Sequence, residues 1–263
     1  MESILKQRAI SAFIFVVVVV GLFCSGNFGA MALLAAIVPA SLYEFGKMQK
    51  KEGPALWLPV LWGLAVIAFL YFADFRGSEF NSVAIIASAS YLMTGLFILL
   101  PRIPLTSWVS NTAYFYPVVG AALWIKMLDL EPQMNIVLLL VLCLLWANDT
   151  GAYLVGRRWG KHKLYEIISP KKTWEGFAGG LVFTMLTAVG IHFTKWGIET
   201  NWFLAGLLAA ILGTMGDLVE SKIKRENNVK DSGNIMPGHG GIWDRFDSFL
   251  FYMPFALLLV LAF

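Results

Sequence analysis

The stretch NIVLLLVLCLLWANDTGAYLVG, residues 135–156, decides what kind of molecule this is. Its first half is large, apolar and uncharged, and about 20 such residues in a helix cross the hydrocarbon core of a bilayer. Asn148-Asp149-Thr150 then interrupts the run, and Arg157-Arg158 follows it. An aspartate deep in a membrane helix costs roughly 2.5–3.5 kcal/mol on insertion scales, so Asp149 is expected to face a partner, water or a ligand rather than lipid. A polar contact between helices would satisfy it as well.

Eight more segments read as spans: roughly 9–25, 28–46, 55–73, 82–100, 106–127, 176–195, 200–221 and 246–263. The segment at 106–127 is the weakest, because Pro117 and several polar residues interrupt it. Composition agrees. Of the 263 residues, 58% are hydrophobic and 14% charged, against about 25% charged in soluble domains. The expected fold is an all-α, polytopic membrane helical bundle of about nine transmembrane helices. It forms one domain over 1–263, with N-terminal spans in 1–134 and the functional half in 135–263. The net charge of +3 is modest, its distribution matters more than its total, and no nucleic-acid partner is expected. Cys24 and Cys143 are expected as buried thiols, since two such positions give neither a disulfide framework nor metal-ligand spacing. The first apolar run follows basic residues without a small-residue cleavage site, so it reads as a retained span.

With the N-terminus in the cytoplasm, 17 of the 20 basic residues fall on the inside, and only Arg76, Lys126 and Lys195 lie outside. That bias is what the positive-inside rule demands. It predicts an integral membrane protein, placed in the inner membrane of a bacterium, with its working face toward the cytoplasm. Two inside loops, 157–175 and 222–245, are long, and long polar loops on one side of a bundle usually carry function.

The first loop holds Arg157 and the run Ser169-Pro170-Lys171-Lys172-Thr173. Ser169 fits a helix N-cap and Pro170 a first helical position. Lys171 and Lys172 would then sit at a helix N-terminus, which is sensible if an anion binds there. A basic stripe that only sets topology and touches anionic lipid is the alternative.

The second loop is richer. Asp217, Glu220, Ser221 and Lys224 follow the spacing of one helix face, a face too polar for lipid. Asp244 and Asp247 stand one turn apart at the start of the last span. Two helices bearing carboxylates and joined by a glycine-rich loop can converge on a cation, and hard oxygen ligands suit Mg²⁺ carried with substrate phosphates. Pairing of Asp217 with Lys224, or capping of the last helix by Asp244, would be purely structural uses.

The segment from Ser221 to Asp247 resembles the C-terminal signature of the phosphatidate cytidylyltransferases, the CDP-diacylglycerol synthases. Ser221, Lys224-Arg225, Lys230-Asp231, Pro237, His239-Gly240-Gly241 and Asp244-Arg245-Phe246-Asp247 fill its places. Met236 stands where Leu or Ile would be expected. The Asp149-Thr150 and Ser169–Thr173 blocks also resemble that family, so the recognisable part covers roughly the C-terminal half. The resemblance implies transfer of CMP from CTP to phosphatidate, giving CDP-diacylglycerol and pyrophosphate, by a helical bundle that works as a homodimer. It implies a divalent metal on Asp217 and Asp244, and leaves open whether a second metal or a monovalent cation joins it. His239 and Lys224 are expected beside the chemistry. Asp149, Arg157, Lys171, Lys172, Ser221, Arg225, Lys230, Asp231, Gly240, Gly241, Arg245 and Asp247 are expected around the substrates. His239 would donate a hydrogen bond to a phosphate, or else anchor the loop. Three rivals stay open: an ion-coupled transporter, a CDP-alcohol phosphatidyltransferase, and a CTP-dependent lipid kinase. No inverted repeat favours the first, and the spaced aspartates of the second are missing.

Overall fold

The computed structural model describes residues 2–74, 77–100, 117–194, 200–235 and 240–263, with side chains from Ile10 onward. Helix dominates, as expected. The described helices are α1 (Glu2–Cys24), α2 (Asn27–Met48), α3 (Pro54–Phe72), α4 (Ser78–Leu99), α5 (Val118–Leu130), α6 (Met134–Trp159), α7 (Trp174–Phe193), α8 (Trp202–Glu226) and α9 (Trp243–Ala262). Between α6 and α7 lies a two-stranded antiparallel hairpin, β1 (Lys163–Tyr165) and β2 (Ser169–Thr173).

Seven of these helices are long and apolar enough to cross a membrane, which makes the chain an integral membrane protein. The apolar part of α1 whose side chains are described, Ile10–Cys24, is shorter. Of the span expected at 106–127, the described part is helical, in α5 from Val118 onward. Residues 101–116 fall outside the described part. The cysteines also differ from expectation: Cys24 is exposed and Cys143 only half-buried, and both are free thiols.

The described residues gather into two compact units interleaved along the sequence. Unit 1 comprises residues 1–75, 104–139 and 223–247. Its centre is α2, which packs on α1, α3 and α5 and buries Leu34, Val38, Leu42 and Phe45 almost completely. Asn27 ties the helix ends together. Its Nδ2 donates to the carbonyls of Leu128 (2.7 Å) and Glu131 (2.8 Å), while its Oδ1 accepts the Asn135 N–H at 3.0 Å.

Unit 2 comprises residues 76–103, 140–222 and 248–263. Here α6 and α7 cross at small residues. A Cβ on Gly151 would strike the Gly179 carbonyl and Phe183, and one on Gly176 would meet the Ala152 carbonyl. In a membrane, where apolar surface gains little from leaving lipid, such close backbone packing is what holds helices together. Tyr252 on α9 adds a hydroxyl bond to the Ala205 carbonyl of α8 at 2.8 Å.

Candidate active site

In unit 2 the close crossing of α6 and α7 leaves a cavity of about 440 Å³ near the hairpin, within the range of small-molecule sites. Five expected residues line it: Asp149 and Arg157 from α6, Lys171 and Lys172 from β2, and Asp217 from α8. The Lys172 ammonium pairs with an Asp217 carboxylate oxygen at 2.5 Å, both side chains being about a quarter to a third exposed. Ser221 donates its hydroxyl to the other Asp217 oxygen at 3.1 Å. Pairing of Asp217 with Lys224 is therefore overturned; the partner is Lys172. Asn148, buried in the cavity wall, places its amide 3.5 Å from the Thr214 hydroxyl, and its Oδ1 has no hydrogen-bond partner among the described residues.

The hairpin corrects the reading of the basic loop. Ser169 does not cap a helix, and Pro170 and Lys171 lie in β2 rather than in a first helical turn. Strand β2 pairs with β1, Lys163 opposite Thr173 and Tyr165 opposite Ser169. Lys163 donates its ammonium to the Pro170 carbonyl at 2.7 Å. The cap falls instead on Thr173, whose hydroxyl accepts the Gly176 N–H at 3.1 Å. Glu175, in the first turn of α7, accepts backbone N–H bonds from Lys161 and His162 (3.0 and 3.2 Å) and contacts the His162 ring at 2.6 Å. The hairpin is thus clasped to the helix it precedes, and Lys171 and Lys172 reach the cavity from a strand.

In unit 1 the glycine-rich loop is built around Asp244. Lys224 from the end of α8 meets Asp244 Oδ1 at 2.6 Å, with the Asp244 side chain only 6% exposed. Asp244 Oδ2 accepts the Ser232 N–H (2.8 Å), the Ser232 hydroxyl (3.0 Å) and the Gly241 N–H (2.7 Å). Gly240 has φ of +85°, a left-handed conformation that favours glycine, and a Cβ there would strike Asp244. Asp244, inside the first turn of α9, therefore folds the loop back onto the helix start. Arg225, Lys230, Asp231 and Arg245 are exposed and Asp247 is half-buried; Arg225 donates to the Val229 carbonyl at 3.0 Å. His239 lies outside the described residues.

Sequence reading missed one residue of this loop. Glu44 of α2 is 2% exposed. Its carboxylate accepts the Ser232 hydroxyl (3.0 Å) and the N–H groups of Ile242 and Trp243 (both 2.9 Å). No local motif surrounds Glu44, so nothing near it in sequence could have signalled this.

The expected metal pair, Asp217 and Asp244, is divided between the units, and each carboxylate has the partners just given. Within unit 2, Asp217 and Glu220 bring carboxylate oxygens within 4.8 Å of one another on one face of α8. That oxygen donor set is compatible with a divalent cation.

The fold and site together define a class: a polytopic membrane protein with clustered lysines, arginines and acids, suited to polyanionic ligands. The chain belongs to the Cytidylyltransferase family, whose family model matches residues 6–263. It is 36% identical over 273 residues to the phosphatidate cytidylyltransferase of Bacillus subtilis (strain 168), covering 98% of each chain. It is also 49% identical over 121 residues to that of Staphylococcus aureus (strain COL), covering 45% of this chain and 46% of the relative. With the Staphylococcus haemolyticus phosphatidate cytidylyltransferase it shares 50% identity over 119 residues.

Proposed function

We propose that this chain joins CTP and phosphatidate to give CDP-diacylglycerol and pyrophosphate, a step of phospholipid biosynthesis. The observation that carries the reading is the cavity of unit 2, where Arg157, Lys171 and Lys172 meet Asp217 and Asp149. Family membership and the full-length likeness to the Bacillus subtilis enzyme support the same reaction.

The chemistry fits these residues. A phosphate monoester has a second pKa near 6 and is largely dianionic at neutral pH. A phosphatidate oxygen attacks the α-phosphorus of CTP, and the α–β bridging bond breaks to release pyrophosphate. A strong general base is less necessary than for a hydroxyl nucleophile. What the protein must do is bring polyanions together and neutralise them. Lys171, Lys172 and Arg157 bind the triphosphate. When it arrives, Lys172 exchanges the Asp217 carboxylate for phosphate. A divalent cation, Mg²⁺ by its preference for carboxylate and phosphate oxygens, would take Asp217 and Asp244 as its carboxylates and would supply charge neutralisation. Because Asp244 already accepts four contacts in the loop, Asp247 is the next ligand to test should Asp244→Asn keep near-normal turnover. Ser221 orients Asp217, Lys224 holds Asp244, and His239 donates to phosphate. Arg225, Lys230, Asp231, Gly240, Gly241 and Arg245 shape the substrate-binding loop.

The chain acts as one catalytic domain and as a homodimer in the inner membrane of a bacterium, its active site facing the cytoplasm. The 17-to-3 partition of basic residues supports that orientation. In a cysteine-free background, a thiol at position 195 should react with an outside-only reagent and one at 172 should not; the reverse pattern would sink the orientation. The activity itself is tested by supplying purified protein with labelled CTP, phosphatidate and Mg²⁺. Cytidine retained in the lipid product means cytidylyl transfer. Phosphate alone in the lipid would mean a kinase.

A further inference from the structure

Glu44 lies in the N-terminal half, where the sequence reads only as generic membrane helix, yet its carboxylate accepts three hydrogen bonds from the glycine-rich loop and the start of α9. A buried carboxylate is costly unless hydrogen-bonded, and apolar residues of similar volume often replace buried ionic groups without loss of stability. Here both oxygens are engaged, Oε1 by the Ile242 N–H and Oε2 by the Trp243 N–H and the Ser232 hydroxyl. Trp243 begins α9 and Ile242 directly precedes it, so the carboxylate sits where helix N–H groups lack intrahelical partners and negative charge is favoured. The loop is cut to fit it. A Cβ on Gly241 would collide with both Glu44 oxygens and with Ser232, and a Cβ on Gly233 would also strike the Glu44 carboxylate. The neighbouring Phe45 stacks edge-on against Trp243, ring centroids 5.0 Å apart, fixing α2 beside the start of α9.

The contact that matters most is Ser232. Its hydroxyl lies 3.0 Å from Glu44 and 3.0 Å from Asp244. One hydroxyl proton serves one acceptor at a time, so the serine couples the two carboxylates. Asp244 in turn holds Lys224. The chain of contacts runs Glu44, Ser232, Asp244, Lys224, from a residue with no place in the signature to two that define it.

We propose that Glu44 is the positioning residue of the glycine-rich loop: it fixes Ser232 and the first turn of α9, and so sets the geometry of Asp244 and Lys224 for cytidylyl transfer. This rests on the reading that the 216–248 segment carries that transfer.

The test uses the full-length protein reconstituted in phosphatidate-containing bilayers, with Glu44→Gln, Glu44→Ala, Asp244→Asn and the double variant Glu44→Gln/Asp244→Asn. Turnover with CTP and Mg²⁺, the KM for CTP, melting temperature and amide hydrogen exchange are measured. Residues that orient active-site groups typically cost about 10–100-fold when removed. Glu44→Ala should lower kcat by that order with KM for CTP changed less than about threefold, and Glu44→Gln should recover part of it through its remaining acceptor oxygen. The losses in Glu44→Gln and Asp244→Asn should not multiply in the double variant, because the residues share a partner. Exchange at Ser232, Ile242 and Trp243 should quicken in Glu44→Gln while α4 stays protected. Unchanged exchange at those amides, multiplying losses, or a kcat deficit that merely follows the unfolded fraction would overturn the proposal. Should Glu44→Ala fail to fold, Glu44→Gln and the double variant decide. If the unaltered protein forms no CDP-lipid, the functional reading fails, and the exchange data still judge whether Glu44 holds the loop.

Discussion

The two polar regions are built on opposite plans. The loop around Asp244 and Glu44 in unit 1 is closed: its two carboxylates are nearly buried and accept hydrogen bonds from backbone and hydroxyl donors. The cavity in unit 2 is open, and its central pair, Lys172 with Asp217, is about a quarter to a third exposed. Partly exposed ion pairs contribute little stability and are easily exchanged, whereas a buried network is costly to break. One region is already assembled. The other holds charges that can change partners when a ligand enters. A site that must admit two polyanions needs both, a fixed frame and exchangeable charges.

Asp217→Asn against Asp244→Asn tests that contrast most severely. Both should lower turnover by about 10²–10³, the usual cost of losing one strong electrostatic contributor in an active site. Only Asp244→Asn should also lower the melting temperature, because only it unpicks the loop. Equal melting curves for the two variants would break the comparison, and near-normal turnover in either would remove that residue from the proposed metal site. Gly240→Ala comes next. A side chain in the left-handed region costs about 1–3 kcal/mol, and the new Cβ would strike Asp244. Stability and turnover should fall together; a variant as stable as the parent would show the loop to be softer than its contacts suggest. In the open region, Lys172→Ala should leave melting nearly unchanged and raise KM for CTP roughly tenfold, as expected for one charge-assisted hydrogen bond. The gap from the parent should narrow as salt rises, because salt screens the contact that only the parent keeps. A salt-independent gap would argue against phosphate binding by this lysine. Thr173→Ala has the smallest expected effect, about 1 kcal/mol of lost stability from the missing cap, read by thermal melting.

Hydropathy made the long spans legible, since a bilayer requires long apolar helices and little else does. The shared face of Asp217 and Ser221 was legible too, because helix periodicity alone places them together. The basic hairpin was legible in composition but not in conformation. Ser169-Pro170 carries a helix-start signal, and Thr173 carries a competing one four residues on. Pairing with Lys163–Tyr165 and the Glu175 clasp decide for the second. Glu44 was beyond reach. A lone acid in an apolar helix says that it needs a partner, but not that the partner stands 188 residues away.

That separation has a consequence for synthesis. Ribosomes add about 5–20 residues per second, so Glu44 enters the membrane roughly 10–40 s before Ser232 exists to meet it. During that interval the nascent protein carries an acid in a span without its final hydrogen bonds, a state that costs free energy and invites quality control. A chain stopped just before Ser232 should therefore be cleared faster in a pulse-chase than one stopped after Ala262; equal lifetimes would show that the waiting carboxylate finds shelter elsewhere. The loop thus closes over a carboxylate that has waited in the membrane while 188 further residues were made.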